Sequence, residues 1–311
     1  MSQAVSASMQ VKFKNDVELQ LQQTKSVLEG CVTTQDDNGA EKVKVKDIVG
    51  NVQAQEGDER HGDTKYGNRT YDGVWIPKPN ELYDADLIDN DDKLGTTLDL
   101  NGTVVTSCAA TIARSKDRRI LEGFYGSIIS GKEGTTTTPF PGGNIIAVTT
   151  GGAAGAQKMN VAKIRAATKM LAQNYVDIGP GMERWMVLTA DDNDSLLQEI
   201  PVTSEDFKGS YKGVVDDEGR VISLLGWKFA YLELDNPLLT TIPALATDGS
   251  GYRKTPFWVK PGVRLNYWQR LRTMLDVMPG KRGSVQYFAG FTGAATRTQA
   301  GMSGIILNAK G

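Results

Sequence analysis

Residues 89–126 read DNDDKLGTTLDLNGTVVTSCAATIARSKDRRILEGFYG. An acidic lead-in (Asp89, Asp91, Asp92) gives way to a helical pattern. Val105, Ala109, Ile112, Ile120 and Phe124 recur at spacings of three, four or eight and so share one stripe. Thr103, Thr106, Arg114, Arg118 and Glu122 fall largely elsewhere around the wheel. Asn101 is placed to cap the helix and Gly126 to stop it. About 24 residues at ~1.5 Å each make a rod of ~36 Å. A rod that long with one apolar stripe needs a sheet beside it, and it reads as a spine for the segments on either side.

Upstream, residues 1–14 are small and polar, a loose arm. Residues 15–29 (NDVELQLQQTKSVLE) carry a helical pattern. Asn15 or Asp16 caps it, Val17, Leu21, Thr24 and Leu28 share a face, and Gly30 ends it. Val43, Val45 and Asp47 alternate with Lys42, Lys44 and Lys46, which predicts a half-buried strand with a lysine face. Tyr71 to Ile76 and Leu82 to Ile88 are further strands, with Pro77 and Pro79 marking an edge or a kink. Residues 55–70, between the lysine-faced strand and Tyr71, hold almost nothing apolar. So long a polar excursion is functional or disordered rather than filler. Two strands carrying it outward make an extended hairpin that cannot bury its own surface and needs a neighbour to lie on.

Downstream, residues 130–157 are rich in glycine and threonine and form the expected hinge or domain boundary. A second helix is predicted over 160–178. Asn160 caps it, Val161, Ile164, Leu171, Tyr175 and Ile178 face one way, and Gly179-Pro180 stops it. A strand over 184–189, a short helix over 191–197 and a strand over 226–234 suggest an α/β layer. The last 60 residues read mostly as strand. Val263, Leu265 and Tyr267 alternate with Arg264, Asn266 and Trp268; Leu271, Thr273, Leu275 and Val277 alternate with residues that include the arginines Arg270 and Arg272. Val285, Tyr287, Ala289 and Phe291 form another face, beyond a turn at residues 279–283.

Composition narrows the function. The 311 residues include 34 glycines and two cysteines, Cys31 and Cys108, too few for a disulfide framework. No run of 18 apolar residues marks a membrane span, and the N-terminus lacks a signal-peptide pattern. The net charge of -2 hides an asymmetry. Residues 1–100 carry 11 basic and 19 acidic side chains, a balance of -8; residues 101–311 carry the remaining 24 and 18, a balance of +6. Either these are two solvated faces, or copies of the chain pack acidic parts against basic ones.

Catalytic signatures are missing. The one histidine, His61, lies in the polar excursion with no packed scaffold around it. No zinc-ligand spacing, phosphate loop, dinucleotide-binding turn or nucleophile elbow occurs; Gly151, Gly152 and Gly155 only mimic a glycine fingerprint. Two acidic clusters stand out, Asp84 to Asp92 and Asp191 to Asp194. Either could hold a hard cation, and a metal-dependent hydrolase using the Asp84–Asp92 cluster is the enzymatic alternative. The second cluster sits at a helix start, where acids complement the helix dipole, and solvation and capping explain it more simply. The basic and aromatic residues interleaved over 252–272 have period two, which favours a sheet with an arginine-rich outer face over a nucleic-acid stacking surface.

The order of these pieces resembles the major capsid protein of tailed bacteriophages with the Hong Kong 97-type fold. Local phrases carry the likeness: Gln22-Gln23-Thr24-Lys25-Ser26, Arg60-His61-Gly62-Asp63-Thr64, Asp86-Leu87-Ile88-Asp89 with Asp92-Lys93, and Gly293-Ala294-Ala295-Thr296-Arg297. The resemblance implies an α+β fold of four parts. These are an N-terminal arm (1–40), an extended hairpin loop (41–89), a peripheral domain built on the spine helix (90–150 and 255–311) and an axial α/β domain (151–254). It implies a subunit that self-assembles into pentamers and hexamers of an icosahedral phage head, with no catalytic residue, cofactor or metal. Portal, scaffold and decoration proteins and weakly held double-stranded DNA would be its partners, the virion its location and the host cytoplasm its place of assembly. A compartment-forming encapsulin shares the fold and is the structural alternative. Candidate intersubunit contacts are Arg60, His61, Asp63, Lys65, Arg69, Asp86, Asp89, Arg264, Arg270 and Arg272.

Overall fold

The computed structural model describes residues 23–50, 52–54, 56, 63–64, 66–88, 100–152, 155–176, 179, 181–199 and 214–310. In chain order the elements begin with β1 (Thr33–Asp36), β2 (Lys42–Val49), β3 (Tyr71–Pro77) and β4 (Leu82–Ile88). The long helix α1 (Leu100–Tyr125) follows, then the short strands β5 (Ile128–Ser130), β6 (Thr136–Thr138) and β7 (Ile145–Ile146). Next come α2 (Val161–Gln173), β8 (Arg184–Leu188), α3 (Ala190–Glu199), β9 (Val214–Val215), β10 (Val221–Leu224) and β11 (Trp227–Tyr231). The short helix α4 (Ile242–Leu245), β12 (Arg253–Val259), β13 (Val263–Met278), β14 (Ser284–Arg297) and β15 (Ser303–Asn308) complete the chain.

The chain forms two compact units. One holds residues 23–26, Glu81–Ser115 and Arg270–Phe291; the other holds Val27–Asn80, Lys116–Gln269 and residues 292–310. Three elements therefore contribute to both: α1, β13 and β14.

In the first unit β4 pairs antiparallel with β14, from Leu82↔Phe291 to Ile88↔Val285. Tyr287, Ala289 and Phe291 are buried as the period-two pattern predicts. The opposite holds for β13, where Leu271, Leu275 and Val277 are 48%, 61% and 61% exposed. The alternation there marks no buried face: every residue from Arg270 to Val277 is exposed in the chain.

The second unit is organised by a seven-stranded mixed sheet of order β7-β15-β12-β8-β11-β10-β9. Ile164, Ala167 and Leu171 of α2 are buried together with Met186, Leu188, Trp227, Phe257 and Ile306 of the sheet. The Trp227 and Phe257 rings meet edge to face at 5.5 Å, an arrangement worth ~1 kcal/mol beyond burial. A two-residue turn with Leu225 and Gly226 both at positive φ closes β10 onto β11. A second sheet, β2-β3-β5-β6, carries the root of the hairpin, and β1 runs parallel to β13 from Thr33↔Arg264 to Asp36↔Tyr267.

Several sequence expectations need correction. Residues 23–28 are not helical and Glu29–Cys31 forms a single 3-10 turn; the rest of the predicted first helix lies outside the described residues. What holds this segment instead is Asp117, fully buried on α1, whose carboxylate accepts from Val27 N and Leu28 N, both at 3.0 Å. Asn101 lies inside α1 rather than before it. Ala109 of the predicted stripe is exposed while Arg114 is buried, its guanidinium donating to Gln23 O and Thr111 Oγ1. Gly126 does stop α1, donating from its N–H to Glu122 O at 2.8 Å.

The end of α2 also differs. Its start is as predicted, with the Asn160 side chain accepting from Lys163 N at 2.9 Å. It stops at Gln173, not at residue 178, because the chain closes on itself: Tyr175 N donates to Ala172 O and Val176 N to Leu171 O. This is a Schellman closure with Tyr175 at the left-handed position, φ +56°. The tyrosine ring points away from the core, 96% exposed.

At the other end of α1 the second unit buries Arg297 completely. Its Nη1 donates to Phe124 O at the helix C-terminus, and the guanidinium lies 4.5 Å from the Phe140 ring centre. Nε and Nη2 have no partner among the described residues, and burial pulls the group's pKa down to about 10. Beside it Gly123 lets α1 approach the backbone of Ala295 on β14.

Candidate functional site

Two surfaces and one buried cluster hold the side chains whose placement asks for explanation. The first surface is the β2–β3 hairpin of the second unit. The two strands pair antiparallel from Lys42↔Pro77 to Val49↔Tyr71. Val43, Val45 and Ile76 point inward and pack with Trp268, while Lys42 and Lys44 face out. The root is pinned firmly. Trp75 Nε1 donates to Gly131 O at 2.8 Å, Trp268 Nε1 to Ala40 O at 2.7 Å, and Arg264 Nη1 to Val45 O. Asp72 Oδ1 accepts from Gly73 N and Gly131 N.

Beyond the bond from Gly50 N to Thr70 O all the described residues are exposed, Asp63 and Arg69 among them. They include apolar groups that the subunit does not bury: Val52, and Tyr66 at 88%, with Tyr71 nearby on β3 at 71%. Arg60, His61 and Lys65 lie outside the described residues.

The second surface belongs to the first unit. It combines the exposed aliphatic residues of β13 with Arg270 and Arg272, both exposed. The Arg272 guanidinium stands 5.9 Å from the Phe288 ring centre, and Tyr83 stacks on that ring at 5.7 Å. An apolar cavity of about 200 Å³ opens beside them, lined by Cys108, Met274, Leu275, Tyr287 and Phe288 among others. Asp86 is exposed on β4, its carboxylate accepting from Leu87 N; Asp89 lies outside the described residues. The candidates thus fall into a hairpin group (Asp63, Arg69), a root contact (Arg264) and a group on the first unit (Asp86, Arg270, Arg272).

The cluster is a polar network inside the second unit. Asp192, expected at a solvated helix start, is 2% exposed. Its carboxylate accepts from Thr189 N, Thr255 Oγ1 and Asn308 Nδ2, each at 3.3 Å, and lies 3.5 Å from Arg253 Nη1. Burial pushes its pKa up and Arg253 opposes the shift. Arg253 also reaches Asp191 at 2.8 Å. Lys163, fully buried, donates to Gln157 O, Leu307 O and Asn308 Oδ1 at 2.7, 2.8 and 2.9 Å. Three acceptors match the three protons of an ammonium, yet desolvation pulls its pKa down to about 8. The network ties β15 to α2, α3 and β12, and its chemistry is structural. The sequence carries a signal for Lys163: it shares a helical face with Ala167 and Leu171 at spacings of four, which points a lysine into the core.

Both thiols are protected. Burial raises Cys31 to about 12 and Cys108 to about 11, with Asp84 adding to the second. Among the described residues no group of histidine, cysteine, aspartate and glutamate could hold a metal ion, and no helix is long and apolar enough to cross a membrane.

Comparisons with known proteins complete the picture. The family described as phage capsid protein matches residues 5–310. No curated protein sequence matches the chain. Among solved structures, the capsid of cyanophage P-SCSP1u is similar with a TM-score of 0.71 at 13% identity, over 100% of this chain and 96% of that one. The mature capsid of bacteriophage PhiM1 is similar with a TM-score of 0.67 at 12% identity, over 96% and 91%. The capsid of Ralstonia phage GP4 gives 0.66 at 13% identity, over 98% and 96%.

Proposed function

Because this chain belongs to the phage capsid protein family and is a structural subunit of the virion rather than an enzyme, we propose that its copies form pentamers and hexamers that close an icosahedral head around double-stranded DNA. The observation that carries the reading is the hairpin: a root fixed by several hydrogen bonds holds out Val52, Tyr66 and Tyr71, which the subunit itself leaves exposed. Apolar groups held outward on a rigid base fit a partner's surface. In this reading residues 41–89 lie over a neighbouring subunit and residues 1–40 form an arm. Residues 90–150 with 255–311 build the peripheral part, and residues 151–254 meet around the symmetry axes. Arg60, His61, Asp63, Lys65 and Arg69 of the loop, Asp86 and Asp89 before the spine, and Arg264, Arg270 and Arg272 near the C-terminus are its contact residues.

The acidic first third and the basic remainder support heterologous contacts, in which one edge of a copy meets a different edge of the next. Individually weak contacts gain through multiplicity. Portal, scaffold and decoration proteins join the assembly in the host cytoplasm, and DNA is held by weak non-specific contact, in keeping with a net charge near zero. Negative-stain electron microscopy tests the proposal on the purified chain, alone and co-expressed with its scaffold, with and without deletion of residues 53–70. Closed shells or rings that are lost or deformed in the deletion support it. Uniform monomers at high concentration, even with the scaffold, overturn it.

A further inference from the structure

The sequence contains two Asn-Gly pairs, Asn38-Gly39 and Asn101-Gly102, and the fold treats them differently. Asparagine before glycine is chemically labile because no Cβ on the second residue obstructs its nitrogen from reaching the asparagine side-chain carbon. Asn38 and Gly39 are both exposed in the link between β1 and β2. Gly39 sits at φ +91° with nothing within 4 Å of where a Cβ would stand. Its N–H donates to no group among the described residues. Asn101 and Gly102 are both within α1, whose backbone torsions hold that nitrogen away from a planar ring.

We propose that Asn38 is a site of spontaneous deamidation. The Gly39 nitrogen, its proton lost to water or hydroxide, attacks Asn38 Cγ. The bond from Cγ to the side-chain nitrogen breaks, ammonia leaves, and a five-membered succinimide remains. Water then opens the ring. Addition at Cγ releases the Gly39 nitrogen from it and gives aspartate; addition at the backbone carbonyl leaves the chain running through Cγ as isoaspartate. The balance is one amide and one water to one carboxylate and one ammonium, with no oxidant or cofactor.

The position gives the change a consequence. Asp37 N is bonded to Tyr267 O at 3.0 Å and Ala40 O to Trp268 Nε1 at 2.7 Å, so the pair spans two fixed points on β13. Either product adds a negative charge beside Asp36 and Asp37. Isoaspartate also lengthens the backbone between the fixed points, and the strain falls on the Ala40–Trp268 bond at the foot of the hairpin.

The full folded chain is incubated for weeks at pH 6 and at pH 8.5, then cleaved with trypsin, and the peptide of residues 26–42 is separated into asparagine, aspartate and isoaspartate forms. Asn38 is expected to convert, faster at the higher pH, while Asn101 converts roughly tenfold more slowly or less because the helix must open first. In urea the two sites should convert at similar rates, and Asn38→Gln should leave peptide 26–42 unchanged. An Asn38 that keeps its amide in the folded chain while converting in urea overturns the proposal, as does equal conversion of both sites in the folded chain.

Discussion

Gly123 offers a direct test of how closely α1 meets β14. A Cβ built there would stand 2.2 Å from Ala295 O, 2.4 Å from its carbonyl carbon and 2.9 Å from its Cβ. The obstacle is mostly main chain, so no rotamer change clears it. Two effects oppose each other in Gly123→Ala. Helix propensity favours alanine by ~1 kcal/mol. Forcing a methyl into a packed contact costs ~1–3 kcal/mol, toward the upper end when backbone must move. The clash wins, and the expected net loss is about 2 kcal/mol. All five tryptophans, Trp75, Trp185, Trp227, Trp258 and Trp268, lie in the same compact unit as Gly123, so their fluorescence reports its unfolding. With a urea slope of ~3 kcal/mol per molar, the midpoint should fall by roughly 0.7 M. A midpoint that is unchanged or higher at constant slope would refute the reasoning, because propensity alone would then decide the sign.

Other predictions follow from groups already described. Tyr175→Gly should stabilise the subunit by ~1 kcal/mol, relieving a left-handed tyrosine that packs on nothing; a lower melting temperature would show that the ring has a partner within the chain. Lys163 binds its proton more weakly when folded, about 8 against 10.5 for the ordinary side chain. The unfolded chain therefore holds more protons between those values, and this group's contribution makes stability rise as pH goes from about 8 toward 10.5. Denaturation curves across that window should lose this component in Lys163→Met, and an unchanged slope would contradict it. Arg297→Met, which keeps the volume and removes a poorly paired charge, should cost less than ~1.5 kcal/mol, whereas Arg297→Ala should cost ~3 kcal/mol through its cavity; equal losses in calorimetry would place the cost on the charge. Neither Cys31 nor Cys108 should react with iodoacetamide in the native chain at pH 8, and rapid labelling would show that burial does not hold their thiols protonated.

Period and punctuation made most of the elements legible in the sequence. The lysine-faced strand at Val43 and Val45, the cap at Asn160 and the buried Tyr287, Ala289 and Phe291 all follow from local spacing, because one side chain's exposure is set there by its own element. The errors share another cause. Arg114, Asp117, Lys163 and Asp192 are buried because partners distant in sequence satisfy them, and no window of neighbouring residues holds that information. Tyr175 misled because a helical wheel extends past a helix end that Leu171 and Ala172 carbonyls decide. Leu271, Leu275 and Val277 alternate as core residues do while remaining exposed in the lone chain, so the pattern marks a face without saying which molecule covers it. Among the candidate contacts, Arg264 has an internal acceptor, Val45 O, that only the fold could supply.

The strand partnerships also set a timetable for synthesis. β1 emerges from the ribosome long before β13, and β4 long before β14, yet Thr33 must meet Arg264 and Leu82 must meet Phe291. During translation those early strands wait with unfilled hydrogen bonds, the condition in which chains stick to one another. Pairings so far apart in sequence also close slowly. Chaperone demand should therefore peak late, and truncations that remove only the last strands should aggregate rather than leave a folded fragment.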